Sequence, residues 1–179
     1  MPIAKVNTMA EAVLHFIAEI GRENMYPGDT YVTNDPWKGT GHLHDISMVS
    51  PSFLGDELIG FFACTAHVVD VGGRGFGADG KSVYEEGIQI PIMKFAERGR
   101  VNADLVRILR TNVREPNQVV GDFFSLAACN DVGLAPQRLG ANAGPWTGAT
   151  TRRLKGSMLM HRYVHGVLLF LVRPRAPSS

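Results

Sequence analysis

Residues 45–71 read DISMVSPSFLGDELIGFFACTAHVVDV, and this stretch decides the architecture. Asp45–Ser50 and Leu58–Val71 have the apolar, β-prone content of strands, with the turn-rich Phe53-Leu54-Gly55-Asp56 between them. Leu58-Ile59-Gly60-Phe61-Phe62-Ala63-Cys64 is almost continuously apolar, as expected of a strand buried on both faces. A short turn imposes antiparallel pairing. The polar end of the second strand, His67 to Asp70, should therefore emerge beside the segment that precedes Asp45.

That segment is Thr33-Asn34-Asp35-Pro36-Trp37-Lys38-Gly39-Thr40-Gly41-His42-Leu43-His44. Its Asn-Asp-Pro run and its two glycines forbid regular structure. A short strand, Thr30–Thr33, leads into it after the turn Tyr26-Pro27-Gly28-Asp29. Further upstream, Thr8 and Glu11 have capping-box spacing, and Val13, Phe16, Ile17 and Ile20 recur with helical period, which predicts a helix from Met9 to Arg22. Downstream come a glycine-rich loop, Gly72 to Gly80, and an extended stretch, Gly87–Met93. Two helices follow. One starts at Asn102 and carries Leu105, Val106 and Leu109; the other starts near Pro116 and carries Val119, Val120, Phe123, Phe124 and Leu126. The expected fold class is mixed α/β (α+β): a short mixed or antiparallel sheet with helices packed on it.

With 179 residues, 45 % of them hydrophobic, the chain has enough material for one domain with a proper core. Its net charge of +1 provides no global field to recruit nucleic acid or a membrane surface. The balance is uneven, because residues 141–179 carry six basic residues and no acidic one. The organisation expected is a domain over residues 1–139 followed by an atypical basic tail, 140–179, read as disordered or non-native sequence rather than as a nucleic-acid arm. The apolar run Val164–Val172 is too short to span a bilayer. Met1–Glu11 lacks the apolar core of a secretory signal, and Cys64 and Cys129 sit in apolar runs without CxxC spacing. They read as reduced, buried thiols of a cytoplasmic protein.

The chemistry concentrates between Asp35 and Asp70, which hold three of the six histidines. His42 and Asp45 lie three apart, and His67 ends the buried strand. Two imidazoles and a carboxylate bind one face of Zn²⁺, Mn²⁺ or Fe²⁺ and leave coordination positions open. If Gly41–Asp45 forms a tight turn, His42 and Asp45 point the same way; in an extended strand His44 would share a side with His42 instead. Spacing allows either histidine. His15, His161 and His165 suggest no role. A second motif competes for attention: Gly75-Phe76-Gly77-Ala78-Asp79-Gly80-Lys81-Ser82 matches GxxxxGK[ST] literally. A phosphate cradle needs a helix directly after the loop, and Gly87 with the strand-like Ile88-Gln89-Ile90-Pro91 leaves no room for a long one. A glycine-rich turn beside the metal site is the better reading.

Four segments in order, VTNDPWKGTGHLHDISMVSP, FFACTAHVVDVGGRGFG, YEEGIQIPIMK and LRTNVREPNQVVGDFFSLAACN, resemble the hydantoinase B/oxoprolinase family from about Pro2 to Leu139. That family includes B-type components of ATP-dependent N-methylhydantoinases, the C-terminal part of 5-oxoprolinase and subunits of acetone and acetophenone carboxylases. The resemblance implies a metal held by His42, Asp45 and His67, with a fourth ligand, an aspartate, from an N-terminal segment that this chain lacks. It implies that the chain is part of a larger catalytic subunit, truncated at both ends. It further implies a hydantoinase A-like partner that binds ATP and phosphorylates the oxygen of a hydantoin- or 5-oxoproline-like lactam. Asp70 or Asp35 would orient a ligand imidazole or act as general base. The competing expectations are a ketone carboxylase component and a fragment without catalysis.

Overall fold

The computed structural model describes residues 3–39, 41–75, 80–138 and 164–171. Its centre is a six-stranded antiparallel sheet. The strands are β1 (Thr30–Thr33), β2 (Asp45–Leu54), β3 (Glu57–His67), β4 (Met93–Glu97), β5 (Arg100–Val101) and β6 (Val164–Leu171), in the spatial order β5-β4-β1-β2-β3-β6. Helix α1 (Ile3–Ile20) covers one face. Helices α3 (Ala103–Asn112) and α4 (Pro116–Arg138) cover the other, while the one-turn α2 (Val83–Glu86) lies in the loops at the end of the sheet.

The β2–β3 hairpin forms as its sequence requires, with two adjustments. Strand β2 continues through Pro51 to Leu54, because β1 pairs with β2 only from Ser47 to Val49. The missing N–H of Pro51 therefore deprives no neighbouring strand of a bond. Strand β3 ends at His67 rather than Val71, although the Val68 N–H adds one more bond in the same register, to the His44 carbonyl at 2.8 Å. Alternate residues of β3 serve opposite cores: Phe61 and Ala63 face α1, Cys64 and Ala66 face α3 and α4.

Helix α1 begins at Ile3, so Thr8 lies inside it rather than at its start. The apolar period already runs upstream through Val6, and it outweighs the capping signal. The expected extended stretch Gly87–Met93 becomes a ladder strand only from Met93 onward. A hairpin of β4 and β5 about Arg98-Gly99 then adds an edge that the sequence reading omitted. Helix α3 starts at Asn102, whose side chain accepts the Leu105 N–H at 3.1 Å, and α4 starts at Pro116. Buried Phe123 of α4 lies against Phe95 of β4, ring centroids 6.1 Å apart. Buried Asn130 donates to the Met48 carbonyl and to Ser50 Oγ, and Ser50 in turn bonds Thr30, so a polar chain sets α4 in register on the sheet.

Of the acid-free C-terminal segment, residues 164–171 are described, and they pair with β3 along its outer edge. The remainder of the tail and residues 76–79 of the glycine-rich loop lie outside the described residues. No helix among the described residues is long and apolar enough to cross a membrane.

Cys64 on β3 is fully buried, whereas Cys129 on α4 is only partly so. The Cys64 thiol lies 3.4 Å from the Leu126 carbonyl and hydrogen-bonds to Cys129, one helical turn further on. That bond pulls the Cys129 thiol below its ordinary pKa against the opposing effect of burial, and it raises that of Cys64. Alkylation of the native chain near neutral pH should therefore label Cys129 first and leave Cys64 unmodified until unfolding. Mass spectrometry of the labelled chain checks this, and equal labelling of the two thiols would contradict the arrangement.

Candidate metal centre

Asp45 opens β2 and is the register partner of His67, the last residue of β3. The pairing foreseen for this hairpin is thus realised at its open end. The Asp45 N–H donates to the His42 carbonyl at 3.2 Å and closes a tight turn over residues 42–45. This turn settles which histidine joins the aspartate. His42 Nε2 lies 3.5 Å from Asp45 Oδ2, while His67 Nδ1 lies 3.0 Å from Asp45 Oδ1. One carboxylate therefore bridges two imidazoles whose ring centroids are 5.1 Å apart.

Among the described residues these three form the group able to hold a cation, with one donor atom of each within 4.8 Å of the others. Asp45 is mostly covered and the two histidines are about one-third exposed (14 %, 38 % and 32 % of the side chain), so the donors border solvent without lying open to it. Two neutral nitrogens and one anionic oxygen suit Zn²⁺, Mn²⁺ or Fe²⁺. The residues present fit such an ion.

His44 points inward. It is buried, its ring is nearly parallel to that of His67 (15°) at 5.4 Å, and its backbone carbonyl holds Val68. Burial, reinforced by the neighbouring His67 and His42, keeps its pKa below the ordinary value, while Glu86 and Asp70 act in the opposite direction. The neutral ring forms a wall behind His67.

The other two predicted site residues serve the loops around the triad. Asp70 is buried; its Oδ1 accepts the Gly72 N–H at 3.0 Å and the Arg114 guanidinium at 2.7 Å, and its Oδ2 accepts the Arg114 backbone N–H. Asp35 accepts the Trp37 N–H at 3.0 Å through its side chain and the Lys38 and Gly39 N–H groups through its carbonyl. Neither belongs to the cluster of three. His15 is exposed on α1. Lys81 of the phosphate-loop look-alike is followed by the one-turn α2, too short to aim a macrodipole at an anion.

Sequence reasoning passed over Asn34. It is fully enclosed and bonds three backbone groups: Nδ2 donates to the Leu43 carbonyl (2.8 Å) and the Ile88 carbonyl (2.9 Å), and Oδ1 accepts the Ile90 N–H (2.6 Å). It thereby joins β1, the segment 42–45 and the 88–90 segment. Its place directly before Asp35-Pro36 was the only available hint, and that position is equally typical of an ordinary turn. Asn34→Ala leaves these partners unsatisfied and should cost about 3 kcal/mol of stability, at the rate for stranded buried polar groups. Asn34→Asp keeps the acceptor for Ile90 but sets a buried carboxylate oxygen against the Leu43 and Ile88 carbonyls, so at neutral pH it should cost at least as much as alanine. Urea unfolding of the three proteins measures this, and an alanine variant as stable as the parent would disprove the role.

Residues 2–142 match the family Hydantoinase B/oxoprolinase. A putative D-/L-hydantoinase, in its B component from Pseudomonas sp., is 35 % identical over 121 residues, 65 % of this chain and 20 % of that protein. The beta chain of the Pseudomonas jessenii caprolactamase is 33 % identical over 109 residues, 59 % of this chain and 19 % of the relative. The crystal structure of the ATP-dependent caprolactamase from that organism superposes with a TM-score of 0.68 at 27 % identity, covering 86 % of this chain and 27 % of the other. Acetone carboxylase in its nucleotide-free form shares the fold, with a TM-score of 0.62 at 22 % identity over 89 % of this chain and 19 % of that one. The chain thus spans about a fifth of the length of these two curated relatives. With the match covering everything from α1 to the end of α4, the chain belongs to the hydantoinase B/oxoprolinase family.

Proposed function

We propose that this chain is the metal-binding part of an ATP-dependent cyclic amide hydrolase acting on hydantoin- or 5-oxoproline-like lactams. The observation that carries the reading is the bridged triad, His42 and His67 on one Asp45 carboxylate, at the open end of a hairpin inside the family-matched region. In this reading residues 1–139 are the catalytic part and a hydantoinase A-like partner binds ATP. Two relatives are named as one component each of a hydantoinase and a caprolactamase, which supports both a lactam substrate and a separate partner.

In this reading the labour is divided between the partner and this chain. ATP on the partner would phosphorylate the lactam oxygen and so make the ring carbon electrophilic enough for water to add. The C–N bond then breaks with the ring nitrogen leaving as an amine, and the acyl phosphate that remains hydrolyses to carboxylate and phosphate. His42, Asp45 and His67 would hold a divalent cation, Zn²⁺, Mn²⁺ or Fe²⁺, which would supply Lewis-acid polarisation. Asp45 fixes the azimuth of both imidazoles, and His44 keeps the His67 ring from swinging inward. Asp70 and Asp35 are positioning residues in this scheme. The Asp70 carboxylate takes three donors, and its bonds to Gly72 and Arg114 hold the chain that leaves His67. The likeness to acetone carboxylase concerns the fold, so ketone carboxylation is the discriminating arm of the test.

The purified chain should contain near-stoichiometric metal by mass spectrometry, and the His42→Ala/His67→Ala double variant should contain none. Combined with its ATP-binding partner, it should couple ATP cleavage to opening of a hydantoin, 5-oxoproline or caprolactam ring, and His67→Ala should abolish the ring opening. Full turnover by His67→Ala would end this scheme. Incorporation of bicarbonate into a ketone, without ring opening, would transfer the chain to the carboxylase branch.

A further inference from the structure

The motif Tyr84-Glu85-Glu86-Gly87 has no part in the scheme above, yet its second glutamate reaches the metal-binding turn. Leu43 sits between His42 and His44 with its side chain fully buried, so its backbone cannot shift without withdrawing that side chain from the core. The Leu43 N–H points at Glu86 Oε2 at 3.2 Å. Glu86 is also close enough for its charge to act on His44.

Glu86 is itself held by unusually close backbone packing. The segments 71–74 and 85–88 are interlocked: Ile88 N–H donates to the Val71 carbonyl at 2.8 Å, and Arg74 N–H donates to the Glu85 carbonyl at 2.9 Å. The Arg74 guanidinium also grips the Glu85 carboxylate at 3.1 Å. Two glycines make this possible. A Cβ on Gly73 (φ +60°) would lie 2.5 Å from the Glu86 carbonyl carbon, and one on Gly87 (φ +143°) would lie 2.7 Å from that of Val71. No other residue fits between these backbones.

The contacts close a circuit. The chain leaving His67 runs through Val71–Arg74 and locks the segment that carries Glu86, and Glu86 then holds the turn that carries His42. We propose that Glu86 is a positioning residue for the metal centre. By accepting the Leu43 N–H it fixes the 42–45 turn in the form that sets His42 over Asp45, and so ties the placement of His42 to that of His67. The inference rests on the reading of the triad as a metal site. Support from an outer partner of this kind typically changes metal affinity about 10- to 100-fold.

The test compares Glu86→Ala, Glu86→Gln and His67→Ala in the full chain, using Zn²⁺ titration calorimetry and hydrogen exchange at the Leu43 amide. Glu86→Ala should weaken Zn²⁺ at least about 10-fold at unchanged stoichiometry and lose protection at Leu43. Glu86→Gln keeps an acceptor oxygen and should restore both to near the parent values. Glutamine as damaging as alanine would show that the charge, or direct ligation, matters rather than the bond to Leu43, and would overturn the proposal. Unchanged affinity in the alanine variant would do the same. Should the parent chain bind no Zn²⁺, or His67→Ala bind it equally well, the metal reading fails instead. Leu43 exchange then decides the positioning role by itself: protection that survives in Glu86→Ala refutes it.

Discussion

Everything at the centre depends on the register of one hairpin. Asp45 opposite His67 is the last rung of a ladder that begins at Leu54 opposite Glu57 and shifts register once, at the bulge between Ser52 and Phe53; from Ser52 opposite Gly60 onward every rung is kept, and that run brings the two residues together. A slip by a single residue would send His67 to the other face and turn Phe61 and Ala63 away from α1. Burial on both faces is what forbids the slip, because Val49, Phe61 and Ala63 are committed to one core while Met48, Cys64 and Ala66 are committed to the other. The apolar interior thus encodes the distance between two polar groups that lie outside it.

Beyond the ends of the strands the backbone can no longer pair with itself, and buried polar side chains take over. Asn34 serves the Leu43, Ile88 and Ile90 backbone, Asp70 serves Gly72 and Arg114, and Asp29 accepts the Tyr26 and Arg98 N–H groups together with the Tyr31 hydroxyl. Each of these residues is enclosed, and each joins segments far apart in sequence. Burying a polar side chain costs free energy unless its bonds are made, so such residues demand one arrangement of the loops and penalise the alternatives. A site that must hold donor atoms to within a fraction of an ångström gains that precision from the same penalty.

The legible parts of the sequence were those governed by period. The β2–β3 hairpin, α3 and α4 follow from apolar spacing and from Asn102 and Pro116 at their starts, and the crowding of His42, Asp45 and His67 follows from the hairpin. The choice between His42 and His44 was not legible, because it depends on whether residues 42–45 turn or extend, and glycine and histidine permit both. The β4–β5 hairpin was missed because Met93–Val101 mixes charge and apolar character without alternation, its inner face being set by β1 and α4 rather than by its own pattern. Asn34 and Glu86 were invisible for a more general reason. Their partners are backbone amides and carbonyls, which every residue carries, so nothing in the partner's identity betrays the contact.

The charge balance of the triad bears directly on its proposed role. A single carboxylate, largely removed from water, faces two imidazoles, and a third, kept neutral by burial, stands behind them. Protons and a divalent cation compete for the same nitrogens, so any cation held there is released by acid as the imidazoles protonate. His44 sharpens that competition by its position. It packs on His67 without adding positive charge, and a charged neighbour at 5.4 Å would oppose the cation. The buried histidine is not one of the three candidate donors, and its burial keeps a further positive charge away from the proposed cation.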